Sequence, residues 1–300
     1  MKKKLLILLS IVVLALAACG KKDDDKQEST SKKGGNERIA SLSIHLTNDL
    51  LALGITPAGS VVGGSLNTFL PHVQDQLKNT KPLGSAKDPD METLLSLKPS
   101  AIYADKEFSG TDTSKYEKIA PTHVFDLDKG TWRDHLKKIA KTVNREKEAK
   151  TFISDYEKER KEVKALIEQE LGKNSKAMAI RVTGKELRVF SKNRPMGPIL
   201  FDDLGFTPAN GVEKLKTNRP YEVISQEVLP DYDADAIFVI VNSDDEAKTA
   251  FKQLEASPIW KGLKPVKENH VYVVSDQPWL DYSALGNKMA LDQAKKMFSK

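Results

Sequence analysis

The chain has 300 residues, with 47 Lys or Arg against 42 Asp or Glu, a net charge of +5. Three of the bases sit in the opening MKKK; without them the balance is 44 to 42, so the basic excess gives no argument for nucleic-acid binding. A single cysteine, Cys19, excludes disulfides and cysteine-held zinc or iron–sulfur sites.

The N-terminus reads as a secretory signal over residues 1–18: a positive start, then LLILLSIVVLALAA, an apolar run of 14 residues too short to span a bilayer comfortably. Leu16-Ala17-Ala18-Cys19-Gly20 looks like a bacterial lipobox, in which the cysteine is lipid-modified and becomes the mature N-terminus. The following GKKDDDKQESTSKKGGNE has no aliphatic or aromatic residue and cannot bury apolar surface, so residues 19–37 are expected to form a disordered tether. The remaining chain, about 260 residues, is long for one core and natural for two lobes.

RIASL (38–42) is a short strand feeding a helix in SIHLTNDLLALG, with Thr47 as its N-cap and Gly54 as its stop. AGSVVGG (58–64) is a strand, DMETLLSLK a short helix ended by Pro99, and SAIYAD (100–105) a buried strand. SKYEKIA is a helix ended by Pro121, and HVFDLD (123–128) a strand. Such alternation implies a parallel sheet with crossover helices. WRDHLKKIAKTV is then an amphipathic helix, and after Asn144 a run of 27 residues without Gly or Pro continues to Leu171. Its apolar positions mostly keep helical spacing but are too irregular for a coiled coil, so it is read as a helix joining two lobes. After Gly172, SKAMAIRVTG and KELRVFS are adjacent strands turning at Gly184-Lys185. GPILFDDLG and SQEVLPDYDA are short helices, AIFVIVN (236–242) a buried strand, DEAKTAFKQLEASPIW a helix, HVYVVS (270–275) a strand and SALGNKMALDQAKKMF the last helix. The expected class is therefore α/β: two Rossmann-like lobes, each with a central, mostly parallel sheet, at 38–143 and 173–300, joined by one long helix at 144–172.

One phrase occurs twice. ETLLSLKPSAI (92–102) and EVLPDYDADAI (227–237) both lead with Glu, place Leu two residues later and end in Ala-Ile. In the two-lobe reading each is the helix–strand step in the middle of one lobe.

With the lipobox, RIASLSIHLTNDLLALGITPAGSV, GSAKDPDMETLLSLKPSAIYAD, YEKIAPTHVFD and SQEVLPDYDADAIFVIV in this order, the chain resembles the substrate-binding lipoproteins of bacterial iron–siderophore ABC importers, relatives of cobalamin- and haem-binding proteins. The resemblance covers the whole chain. It implies a ligand held between the lobes, which agrees with the rule that open α/β sheets bind beyond the carboxyl ends of their strands. It implies also that Glu92 and Glu227, the leading residues of the repeat, pair with arginines of the permease; two carboxylates on one face would fix the orientation of docking. The competing explanation is that each simply favours the N-terminus of its helix.

For the pocket, the loops after strands nominate His45, Lys87 and, more weakly, Lys106 from the first lobe, and Arg181, Arg194, Trp279 and Tyr282 from the second. Arg194 beside a helix start suits an anionic ligand; Trp279 and Tyr282 in DQPWLDYS suit a partly apolar chelate. Each has the competing reading of an ordinary surface or packing residue. Arg188 can point either way along its strand. Trp260 and Trp132 read as packing residues, and His72, His123, His135 and His270, which lack i,i+4 pairing, as ordinary histidines. No G-x-S-x-G, P-loop or G-x-G-x-x-G motif is present, which leaves hydrolase, NTPase and dinucleotide readings without their parts.

The expected function is that of a lipid-anchored, extracytoplasmic receptor, monomeric and not an enzyme, that binds a ferric siderophore and delivers it to an ABC permease with its ATPase, in a Gram-positive cell membrane. Iron arrives inside the ligand, with no cofactor, no direct metal ligands and no nucleic acid. Hydroxamate or citrate–hydroxamate siderophores are the first choice, catecholates and ferric citrate the next. The loop before the last helix carries no arginine, which departs from relatives that surround polycarboxylate siderophores with arginines. The alternatives are a haem receptor with His45 as axial ligand, a secreted α/β enzyme acting on siderophores, and a surface adhesin.

Overall fold

The computed structural model describes residues 38–63, 67–215 and 219–299. The signal segment, Cys19 and the tether read from the sequence lie outside these residues.

Five strands form the first sheet: β1 (Ile39–Ser41), β2 (Gly59–Val62), β3 (Lys81–Ser85), β4 (Ala101–Asp105) and β5 (Thr122–Phe125). They are all parallel and ordered β3-β2-β1-β4-β5, so the strand order reverses at β1. β3 escapes a sequence reading because KPLGS carries both Pro and Gly; its place at the sheet edge tolerates them. The second sheet holds β6 (Lys176–Val182), β7 (Leu187–Phe190), β8 (Thr207–Pro208), β9 (Tyr221–Ile224), β10 (Ala236–Val241) and β11 (Val271–Val274). Its order is β11-β10-β6-β7-β9, with β8 also on β6. β8 and β10 run parallel to β6, and β11 parallel to β10; β7 forms an antiparallel hairpin with β6, and β9 pairs antiparallel with β7 after a long connection.

The helix after β1 spans Ile44–Ala52 and starts one turn before the expected Thr47 cap. Ser43 is the extended residue at its start, and its carbonyl accepts the Thr47 N–H at 3.0 Å. Thr47 instead places its hydroxyl 2.6 Å from that of Ser60 on β2. Gly54, at φ +75°, ends the turn in the left-handed region that glycine adopts without a Cβ penalty. The stretch read as one helix over residues 245–260 is two, Asp245–Ala256 and Pro258–Gly262. Pro258 forces Ser257 into an extended conformation, and the Ser257 hydroxyl then caps the Trp260 N–H at 3.1 Å. Pro198–Asp203 is wound wider than an α-helix, with Leu204 N–H donating to the Ile199 carbonyl at 2.8 Å.

Between the sheets runs the helix Glu146–Leu171, 26 residues and about 39 Å long. Ala149, Tyr156, Val163 and Ile167 form its buried stripe, packed against the helices Trp132–Thr142 and Ala284–Phe298. One apolar core runs through this seam, taking Leu46 and Leu50 from the first helix, Tyr156 and Val163 from the long helix, and Phe238 and Trp279 beyond it. A separate core on the other face of the second sheet contains Trp260. A shared close-packed core resists a wide hinge swing. No helix among the described residues is long and apolar enough to cross a membrane.

The doubled phrase falls on equivalent steps. Asp90 caps the helix Met91–Ser96, which leads into β4 beside β1; the 3-10 turn Gln226–Tyr232 leads into β10 beside β6. Glu92 and Glu227 are each the second residue of their turn, and both are exposed.

Candidate functional site

The carboxyl end of β4 runs straight into a helical turn, Lys106–Ser109, which presents Glu107 and Phe108, and that of β5 into a loop, which presents Leu127 and Asp128. Opposite them stand Lys192 and Arg194 from the loop after β7, Arg219 and Pro220 before β9, and Tyr282 from the loop after β11. The cavity between these walls measures about 860 Å³, in the range of small-molecule sites.

Arg194 is its central cation. Its guanidinium lies 4.2 Å from the Tyr282 ring centre, donates from Nε to Asp128 Oδ1 at 2.9 Å with a second, shorter contact to the same oxygen, and reaches Glu107 at 3.4 Å. Burial disfavours its charge, but Tyr282, Asp128 and Glu107 outweigh that and raise its pKa. Lys192 is paired with Glu213 at 2.7 Å, and Arg219 has no acid within salt-bridge distance among the described residues. Asp202, also on the wall, has its carboxyl pKa raised by burial and by neighbouring Asp203.

Tyr282 is held from behind. The His45 ring stacks on it with centroids 3.6 Å apart, and burial pushes the Tyr282 hydroxyl pKa up. Beneath lies Asp281, fully buried. It accepts from His45 Nδ1 at 3.0 Å, His72 Nε2 at 3.1 Å, Asn48 Nδ2 at 2.6 Å and the Ser283 N–H at 3.1 Å. Burial alone would raise the Asp281 pKa; the two imidazole donors overcome it and hold the carboxylate ionised well below the usual range. Gly286 permits the arrangement: a Cβ there would fall 2.2 Å from the Asp281 carbonyl oxygen.

Arg194 and Tyr282, of the residues nominated from sequence, line the cleft, and His45 sits directly beneath them. Lys87 is exposed on its own loop, and Lys106 is paired with Asp126 at 3.1 Å. Arg181 donates to Asn242 Oδ1 at 2.7 Å and faces a separate cavity of about 560 Å³ at the end of β6, which shares no lining residue with the cleft, together with Arg188, its direct partner across the hairpin. Burial lowers the Arg181 pKa. The Arg188 guanidinium lies over the Tyr221 ring at 4.4 Å, which settles its direction. Trp279 is a correction: it is 1 % exposed, packs against Phe238 in the core and donates its indole N–H to Gln293, so it forms no part of the pocket wall. Its loop dips into the core before Tyr282 emerges, which an apolar-plus-proline pattern does not distinguish from a wall.

Trp132 is buried against Tyr156 and donates to Asp203, and Trp260 is likewise buried. His123, His135 and His270 have local partners: the Tyr103 ring, the Lys129 carbonyl and Glu268. His72 differs from the ordinary role expected of it, because it joins the Asp281 cluster. The sequence reading missed Glu107, Phe108 and Asp128, although all three follow closely on strand ends, where the α/β rule directs attention. Asp281 had no comparable signal: its side-chain donors lie 233, 236 and 209 residues away.

The model of the periplasmic binding protein family matches residues 39–278, and the chain belongs to that family. It is 31% identical over 239 residues to an iron-uptake system-binding protein of Bacillus subtilis, covering 79% of this chain and 73% of that one. It is also 31% identical over 250 residues to the probable siderophore-binding lipoprotein YfiY of the same organism, covering 81% and 76%. Among solved structures, that of Staphylococcus aureus SirA complexed with staphyloferrin B superposes with a TM-score of 0.77 at 25% identity, over 89% of this chain and 94% of that one. These relatives are binding proteins, and their two-lobed α/β fold is the fold of this chain.

Proposed function

With membership of the periplasmic binding protein family as the premise, we propose that the chain captures a ferric siderophore in the cleft and presents it to an ABC permease. The observation that carries this reading is the cavity of about 860 Å³ at the carboxyl ends of β4 and β5, with Arg194 laid over Tyr282 at its centre. A flat cation on an aromatic suits the outer surface of a chelate whose own oxygens hold the iron. The chemistry is binding alone, with no covalent step and no resident cofactor. Tyr282, Arg194 and His45 are the pocket residues this geometry favours, with Arg181 and Lys87 as outlying cations. The lobes are taken as residues 38–143 and 173–300, with 144–172 between them. Cys19 is proposed to carry the lipid that anchors the monomer outside the cell membrane, and the segment to residue 37 to tether it.

Glu92 and Glu227 are proposed as the permease-docking residues. Neither has a basic partner among the described residues, and each has a large exposed aliphatic neighbour, Leu95 at 59% and Val228 at 36% exposure. The haem alternative gains nothing from the geometry, because His45 is tied to Asp281 and covered by Tyr282.

The test is a tryptophan-fluorescence titration with chemically distinct ferric siderophores. Trp132 lines a cavity adjoining the cleft through Arg194 and Tyr282, and so provides the reporter. Saturable quenching below micromolar concentration is expected for at least one chelate; its absence across hydroxamates, catecholates and citrate-type ligands would refute the reading.

A further inference from the structure

The cation and the acids that meet in the cleft are held very differently. The Arg194 side chain is 22% exposed and clamped by stacking on Tyr282, which is itself backed by His45 and the buried Asp281. Its two partners are loose: Asp128 is 67% and Glu107 48% exposed. Arg194 follows β7 of the second sheet, and the acids follow β5 and β4 of the first, so the ion pairs cross the cleft. Ion pairs whose acid is this open to solvent are weak, so the acids separate easily while the guanidinium stays.

A ligand anion aimed at Arg194 must displace these carboxylates or sit beside them. A neutral or cationic ligand meets no such conflict. We propose that Asp128 and Glu107 are specificity-determining residues: they occupy the Arg194 guanidinium in place of a ligand anion, and so favour neutral or cationic ferric hydroxamates over polyanionic chelates. This rests on the siderophore reading above. The surroundings support it. Lys192 is already matched by Glu213, and the lining adds a further acid, Asp202, against Arg219. A cleft built for a trianion would leave more of its cations without acids.

The experiment compares the purified protein with its Asp128→Asn/Glu107→Gln variant. Three probes are used: a trianionic ferric tris-catecholate, a neutral ferric trihydroxamate and a ferric trihydroxamate bearing a free amine. Both acids are exposed, so the fold is retained, and circular dichroism checks this. In the variant, affinity for the trianion is expected to rise at least tenfold, about 1.4 kcal/mol. Affinity for the neutral chelate stays within threefold, and the amine-bearing one weakens. In an Arg194→Gln background the gain for the trianion falls below threefold, which separates an action through Arg194 from a general change in charge. Equal shifts for all three probes, or an undiminished gain without Arg194, would overturn the inference while leaving the receptor reading intact. A wild-type protein that binds none of the three overturns this inference; the receptor reading falls with it only when citrate-type ferric chelates are not bound either.

Discussion

Replacing Asp281 with Ala removes one acceptor from four donors at once: His45, His72, Asn48 and the Ser283 N–H, at 2.6–3.1 Å. Each donor left unpaired inside the protein costs about 1–3 kcal/mol, and loss of a buried charged partner about 3–5 kcal/mol in all. Allowing for water entering the vacated space, a loss of about 4 kcal/mol is expected, a large part of the 5–15 kcal/mol typical of a domain. Asp281→Asn keeps the shape but offers one acceptor oxygen and an amide that faces donors, so about 2 kcal/mol is expected. The pH dependence has a definite sign. The folded pKa is depressed below the unfolded value of about 3.9, so the stabilisation is present above that value and lost as pH falls below it. Urea unfolding at pH 7 and through pH 4 to 2.5 reads both effects. The wild type is expected to lose stability steeply over the acid range and the Asn variant less so. An Ala variant within 1 kcal/mol of wild type, with the same denaturant slope, would refute the view that this cluster ties the cleft to the core.

Gly286→Ala drives a methyl against the Asp281 backbone and carboxyl group, and is expected to lower stability by about 2–3 kcal/mol in the same urea assay. Asp49 is fully buried and its pKa is raised well above normal by burial, against the Ala284 N–H, which lowers it; folding therefore loses stability as pH rises above about 3.9. Asp49→Asn keeps an acceptor for Ala284 and is expected to melt at or above the wild-type temperature at pH 7, with its advantage gone at pH 3. Glu92→Lys together with Glu227→Lys is expected to abolish siderophore-dependent iron uptake by cells with ligand affinity in vitro unchanged; loss of binding would place these residues in the pocket or the core. Arg194→Gln leaves Asp128 and Glu107 without their cation and is expected to weaken binding of an anionic ferric chelate about tenfold by fluorescence titration.

Much of the α/β frame is legible in the chain because it depends on local pattern. AIYAD and AIFVIV are continuous apolar runs flanked by turn residues, and they are β4 and β10. Glu146–Leu171 lacks any breaker and is one helix. The departures have local causes too: Pro258 splits a helix, and a Pro- and Gly-bearing edge strand is hard to see. The site was less legible. Arg194 and Tyr282 stood out as a cation and an aromatic in loops, but so did Trp279, and only burial separates Tyr282 from Trp279.

The repeated phrase, its two glutamates and the order of strands and helices were set by the sequence itself, because turn chemistry, helix capping and hydrophobic period act over a few residues. Tertiary structure alone decided that Asp281 collects two histidines from more than 200 residues away, and that Arg194 meets Asp128 and Glu107 across the cleft. Such contacts depend on where two sheets bring their loops, and no periodicity within either segment encodes the partner.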